Sequence, residues 1–278
     1  MTGSADVSAD PGLFGPDSVT WRVHGDPSMM LGGFRALLLQ AVHPQVMAGF
    51  DDNSFFRGDP WGRLRRTGDW VSTVTYGTTE EASTAGARLR RLHASLAPGV
   101  EPESGMLYRI DDPDLLLWVH CTEVDSFLTT YQRSGGQLAA GDGDRYVDEM
   151  RASAELVGLD RDRVPASQSD IADYYRSVRP RLRLTARARR NVVWGFAPPM
   201  PRWVTLTTPA RPAWASMVAI SFAMLPAWAR RLYRLPGLPT TDLGASLAGR
   251  LIRSSALVLP EPMISNPARR KAQQRVAS

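Results

Sequence analysis

Helical periodicity runs through almost the whole chain and restricts the fold more than any other feature. Apolar residues recur at steps of three and four. Strand-type alternation is nearly absent, and no strand–helix–strand rhythm appears. The spacing predicts helices over residues 28–42, 63–76, 79–96, 112–132, 143–157, 167–175, 213–235 and 242–257. Punctuation agrees with it: Asp112-Pro113 is a capping carboxylate followed by a first-turn proline, and Gly77 and Gly158 stand where helix ends favour glycine. Pro44 kinks or restarts a helix, residues 51–61 read as a loop, and the Pro- and Thr-rich stretch 198–212 reads as an extended crossover. In the 79–96 helix, Ala82, Ala85, Leu89, Leu92 and Leu96 form the inward stripe. The expectation is an all-α fold: a single helical domain over residues 19–262, between a flexible segment 1–18 and a flexible basic tail 263–278.

Such a domain can bury a sizeable core without cross-links. Cys121 is its single cysteine, which excludes a disulfide framework and any multi-cysteine zinc or iron–sulfur site. Metal chemistry must draw on His24, His43, His93, His120 and the carboxylates. Of the 33 Lys+Arg only Lys271 is a lysine, so no lysine amine lies inside the domain, and the bias reads as codon usage rather than selection. The net charge is +5, but the arginines are spread. The denser run 176–190 is broken by Pro180 and has no interleaved aromatics, which speaks against a nucleic-acid partner.

The N-terminal residues lack the basic and apolar regions of a signal peptide, so a cytoplasmic location is expected. The most apolar stretch, 213–228, is too short to span a bilayer and contains Pro226. Trp228 is followed by Arg230, Arg231 and Arg234. This reads either as a buried helix with a charged end or as a segment that docks weakly on a membrane surface.

Three histidines sit in apolar helical contexts: His43 in LLLQAVHPQVMAGF, His93 in ARLRRLHASL and His120 in LLLWVHCTEVDSF. His93 shares the stripe of Leu92 and Leu96, and His120 that of Leu116 and Phe127. Each is more often a hydrogen-bonded core residue than a ligand; three together narrow that margin, because every buried imidazole needs partners for two nitrogens. Arg63 and Thr67 are four apart and share a helix face, either solvated or aimed at one buried acceptor. His120 and Glu123 are three apart, but the order is the reverse of the di-iron Glu-x-x-His motif and occurs once. No His-Glu-x-x-His, phosphate loop or Gly-x-Ser-x-Gly elbow occurs, which argues against zincin, nucleotide-binding and α/β-hydrolase chemistry.

Four segments in series carry a resemblance: QAVHP at Gln40–Pro44, RLRRT at Arg63–Thr67 leading to TYG at Thr75–Gly77, the RLHASL and LLLWVHCTEVDS segments, and LPAWARRLYRLPG at Leu225–Gly237. Over roughly residues 15–260 the chain resembles the MpaB-like oxygenases, whose domain is shared with latex-clearing rubber oxygenases. The resemblance implies a globin-like helical core, a haem b, and cleavage of isoprenoid double bonds by dioxygen. It places Arg63 and Thr67 beside the haem and makes His93 the proximal iron ligand, with His120 as the competing candidate. Arg66 stands where the rubber oxygenases have a distal lysine. A guanidinium has no lone pair to offer iron, so the distal side is open, or His43 or His120 approaches it. Trp61, Trp70, Trp118 and the methionines are candidates for the pocket lining.

Three functions follow. The first is a haem-dependent oxygenase acting on a hydrophobic substrate and dioxygen. The second is a non-haem metalloenzyme using His43, His93, His120 and Glu123. The third is a non-catalytic helical protein on membrane surfaces, using residues 213–234.

Overall fold

The computed structural model describes residues 10–53, 59–260 and 266–277. It is all-α apart from one small antiparallel ribbon, β1 (Gly99–Val100) with β2 (Leu107–Tyr108), in which Gly99 faces Tyr108 and Val100 faces Leu107. The helices are α1 (Val19–His24), α2 (Met29–Gln40), α3 (Pro44–Asn53), α4 (Pro60–Tyr76), α5 (Thr79–Ser95), α6 (Pro113–Arg133) and α7 (Asp142–Leu156). They continue with α8 (Gln168–Val178), α9 (Ala186–Phe196), α10 (Arg202–Thr207), α11 (Ala210–Ala223), α12 (Ala227–Leu232), α13 (Thr241–Leu257) and α14 (Pro267–Ala277).

The core is built around α6. Asp112 accepts the Asp114 N–H at its start, and Trp118, Cys121, Val124, Phe127 and Leu128 are buried along it. α2 lies against α6 at Gly32, where a Cβ would come within 2.8 Å of the Phe127 ring and 3.2 Å of its Cα. That approach carries the buried Arg35 to Asp125 (2.8 Å), Ser126 Oγ (2.7 Å) and the Met224 carbonyl (3.1 Å). The guanidinium thus ties α2, α6 and the end of α11 together; burying the ion pair is costly, and these hydrogen bonds offset the cost. α4 and α5 form a hairpin. Thr78 and Glu81 make reciprocal side-chain-to-backbone bonds that start α5.

The structure corrects five expectations. Of the loop expected over residues 51–61, 51–53 belong to α3, 60–61 belong to α4, and 54–58 lie outside the described residues. The stretch 198–212 is not extended: Pro201 and Pro209 precede the first residues of α10 and α11, and Pro212 lies in the first turn of α11. Proline is compatible with a helix start because the missing N–H has no partner there anyway. The helix expected over 213–235 is two, α11 and α12, separated at Met224–Pro226. Leu92, expected inward, is 54% exposed; Ala82 and Gly86 are the buried residues of α5. The tail is not frayed from Pro267 onward. Ala272 of α14 is buried against Trp21 and Tyr76, and Arg275 donates to the carbonyls of Tyr76, Gly77 and Asp10. A cation at the C-terminal end of α4 meets carbonyls that have no helical partner.

The 213–228 stretch is buried along one side only, at Val218, Ser221, Met224 and Leu225, while Ala213, Ser216, Ala219 and Ala227 are exposed. Arg230 is buried and binds both carboxylate oxygens of Asp242 (3.0 Å each) and the carbonyls of Ala223, Leu225 and Pro236. It does not project with Arg231 and Arg234 toward a surface. No helix of the described residues is long and apolar enough to cross a membrane.

Candidate functional site

α4 brings the RLRRT residues to a cavity. Asp59 caps the helix by accepting the Gly62 N–H (2.8 Å), and Pro60 opens it. From there the 3.6-residue period turns Arg63, Leu64, Thr67 and Val71 onto one face. That face forms one wall of a cavity of about 690 Å³, within the usual range for small-molecule sites. α2 supplies the opposite wall with Met29, Met30, Phe34 and Leu37. α3 adds Met47 and Phe50, α6 adds Glu123 and Phe127, and α9 and α11 close the side with Trp194 and Trp214. Trp61 stands at the rim, its Nε1–H donating to the Pro199 carbonyl (2.8 Å) and its ring 5.1 Å from that of Trp214.

Few polar groups enter this apolar space. Arg63 lies with its guanidinium 3.6 Å from the centre of the Phe50 ring. Burial, and then the nearby Arg66 charge, pull its pKa down to about 10. Thr67 lies one turn along, at the open edge. Glu123 faces the cavity from α6, and burial raises its carboxyl to about 7 against the opposing effect of a hydrogen bond from Gln40, which also lines the wall. His24 sits deeper. Its Nδ1 pairs with Thr75 Oγ1 (2.8 Å) and its Nε2 with the Tyr146 hydroxyl (2.9 Å). Burial holds His24 down to about 3, so the ring is neutral. Tyr146 also feels the Glu123 charge, so Glu123, Tyr146, His24 and Thr75 form one polar floor under an apolar cavity.

The expected site residues therefore divide. Arg63, Thr67 and Glu123 line the cavity, and Arg66, His43, His93 and His120 do not. Arg66 is exposed and held outward by Asp59 (3.1 Å). His43 is buried at the start of α3, where Nδ1 accepts the Val46 N–H (3.5 Å) and the ring packs 5.8 Å from Trp118. Burial and the Arg181 charge lower it to about 4. It acts as a helix cap and core residue. His120 is buried in α6 and lowered to about 4 by burial. His93 is half-buried on α5, and its buried Nδ1 has no hydrogen-bond partner. Among the tryptophans, Trp61 reaches the cavity, Trp118 is core, and Trp70 is outside the wall.

His24 is the histidine of the wall that sequence reasoning passed over. WRVHGD offers no long apolar stripe, and its two partners come from α4 and α7, 51 and 122 residues away. The set His43, His93, His120 and Glu123 does not converge: among the described residues no group of three or more His, Cys, Asp or Glu side chains is placed to hold a metal ion.

The family model of the ER-bound oxygenase mpaB/B'/rubber oxygenase catalytic domain matches residues 21–254. The chain belongs to this mpaB/rubber oxygenase family. No curated protein and no solved structure matches it. The match covers the elements from most of α1 to most of α13, and with them the whole α4 wall. Membership makes the chain an enzyme domain of the oxygenase class.

The resemblance to rubber oxygenases brings a haem b, which the wall tests directly. The apolar faces and the Arg63 cation suit a porphyrin and a propionate. An axial ligand is another matter, because it must present a free imidazole nitrogen to the cavity. His24 has both nitrogens engaged, and His93, with its unpartnered Nδ1, stands outside the wall. The residues as arranged do not fit a histidine-ligated haem in this cavity.

Proposed function

We propose that the chain is an oxygenase that cleaves or oxidises a carbon–carbon double bond of a hydrophobic, isoprenoid-like substrate held in the α2–α4–α6 cavity. The observation that carries this reading is the cavity itself: about 690 Å³ of mainly apolar space with Arg63, Thr67 and Glu123 in its wall. A hydrocarbon chain gains free energy there by leaving water, about 25 cal/mol per Å² of apolar area. Met30, Leu37 and Trp61 are partly exposed and line the cavity, so an apolar entry faces solvent. Addition of one dioxygen across an alkene with cleavage to two carbonyl groups balances without a reductant. The haem b that the resemblance implies finds no free imidazole in this wall as folded.

Those groups have distinct tasks. The apolar walls exclude water and hold the double bond. Thr67 offers a hydrogen-bond donor at the open edge, and Arg63 sets a positive charge one turn away. Glu123, with its carboxyl raised to about 7, exchanges a proton inside the cavity at neutral pH, and the Gln40 amide fixes its direction. The test is a panel of isoprenoid alkenes under ¹⁸O₂, with oxygen uptake, labelled carbonyl products and the absorption spectrum with and without dithionite recorded together. Labelled carbonyls that disappear in Phe34→Ala/Val71→Trp, a variant that reshapes the cavity, support the reading. An absence of oxygen uptake across the panel with the protein folded overturns it.

A further inference from the structure

Among the described residues, Arg63 is the arginine of α4 without a carboxylate partner. Arg66 pairs with Asp59 (3.1 Å) and Arg65 with Asp69 (3.9 Å). On α3, beside Phe50, Asp51 and Asp52 are both held by Arg187 (3.3 and 2.6 Å). Asp26, in the cavity wall, is held by Arg253 (2.8 Å) and Ser28. Among the described residues, every carboxylate near Arg63 by chain or by element is thus taken by another cation. Arg63 keeps a contact with the Phe50 ring, which uses the face of the guanidinium. The N–H donors around the edge of that plane are left for a ligand, in the fork that matches a carboxylate.

The shape of the cavity says what kind of carboxylate. Its wall follows α4 from Trp61 to Tyr76. Fifteen residues of helix rise about 22 Å, so the space is long as well as apolar, and Arg63 stands near one end of it. A neutral hydrocarbon would leave the half-buried cation unmet, which is unfavourable in low dielectric. A carboxylate on the end of an apolar chain would meet it while the chain lies along α4.

We propose that Arg63 seats the carboxylate of an elongated apolar substrate whose chain extends along α4 beneath Glu123. The site thereby prefers hydrophobic acids to neutral hydrocarbons or alcohols of the same length. The lowered pKa of Arg63 agrees, since burial without a counter-charge is its first cause. The proposal names the substrate class for the oxygenase site, but the binding step stands apart from turnover.

The test is equilibrium binding to the purified full chain, below micellar concentration, of oleate, of oleyl alcohol and of haemin. Wild type is expected to bind oleate about tenfold more tightly than the alcohol, a difference that shrinks with added salt. Arg63→Gln should abolish that preference while leaving alcohol binding within about twofold, and Arg63→Lys should retain only part of it, since an ammonium keeps charge and loses the fork. The alcohol signal and the far-UV circular dichroism show that the variants are folded. Equal affinity for acid and alcohol in wild type overturns the proposal. So does an Arg63→Gln loss shared equally by both ligands, which would make Arg63 a shape-setting residue. Haemin binding that depends on Arg63 and is not displaced by oleate would assign the carboxylate to a porphyrin and also overturn it. A preserved acid preference without oxygen uptake would refute the oxygenase reading and leave this one standing.

Discussion

Glu123→Gln should make the protein more stable above neutral pH and change nothing in acid. The carboxyl sits at about 7 in the fold, against an ordinary value of 4.5, because burial disfavours its charge. Below 4.5 the group is protonated in the folded and unfolded chains alike, so it adds no pH dependence. Between 4.5 and 7 the unfolded chain releases the proton and the folded chain keeps it. The unfolded state then binds fewer protons, and stability falls as pH rises. The full shift corresponds to about 3 kcal/mol at 1.36 kcal/mol per pH unit. Glu123 opens on the cavity and is partly wetted, so we expect about 1–3 kcal/mol. Glutamine has nearly the same shape, no charge, and can still bond Gln40. Denaturant unfolding of both proteins at a series of pH values gives the difference curve, from which all other titrating groups cancel. The curve should be flat below 4.5, rise through 4.5–7 in favour of the variant, and level off above. A difference independent of pH, or one that favours wild type above 7, would refute the burial argument.

The remaining expectations concern packing and the histidines. Gly32→Ala should cost about 1–3 kcal/mol in denaturant unfolding, because its Cβ would meet Phe127 at 2.8 Å and the α2–α6 contact cannot open cheaply. Arg275→Ala removes donors to two carbonyls at the end of α4, Tyr76 and Gly77, and to that of Asp10, and should cost about 1–3 kcal/mol, with faster amide exchange in the last turn of α4 as the local readout. His120 is held neutral down to about 4, so from pH 6.5 to about 4 the unfolded chain binds a proton that the folded one does not, and stability is lost as pH falls. His120→Leu should make the acid limb of the stability–pH curve shallower by about one proton across that window; an unchanged slope would mean that His120 already titrates normally.

The fold was largely legible, and the reasons are local. α4, α5 and α6 each open on a side-chain cap, from Asp59, Thr78 and Asp112, while α2, α7 and α13 form without one and are marked by their apolar period. What failed was punctuation with two meanings. Pro201, Pro209 and Pro212 read as breakers, yet they begin helices. α9, in the arginine run 186–196, was not anticipated because charge masked its period; its buried Ala188 and Asn191 are small and polar rather than large and apolar. α14 has a polar composition and docks through Ala268, Ala272, Arg269 and Arg275, contacts with no signature in the chain.

The site was legible only as a face of α4. Arg63 and Thr67 do share the cavity wall, as four-residue spacing requires. The histidines misled because apolar context reports burial and not direction. His43 ends up capping α3, and the buried imidazole at the cavity is His24, whose partners Thr75 and Tyr146 are set by three helices meeting in space. Pairing is likewise invisible in one dimension. In DPWGRLRRTGD the two acids look available to any arginine, and the helix period decides which are reached: Asp59 takes Arg66, Asp69 takes Arg65, and Arg63 is turned inward over Phe50. The physical content of the motif is therefore the orphaning of one cation among three. That predicts a difference between like substitutions: Arg66→Gln breaks an exposed pair and should change stability by no more than about 1 kcal/mol and ligand preference not at all, while Arg63→Gln should act on ligand preference. Equal effects of the two on acid binding would mean that long-range charge, and not the orientation of Arg63, attracts the ligand.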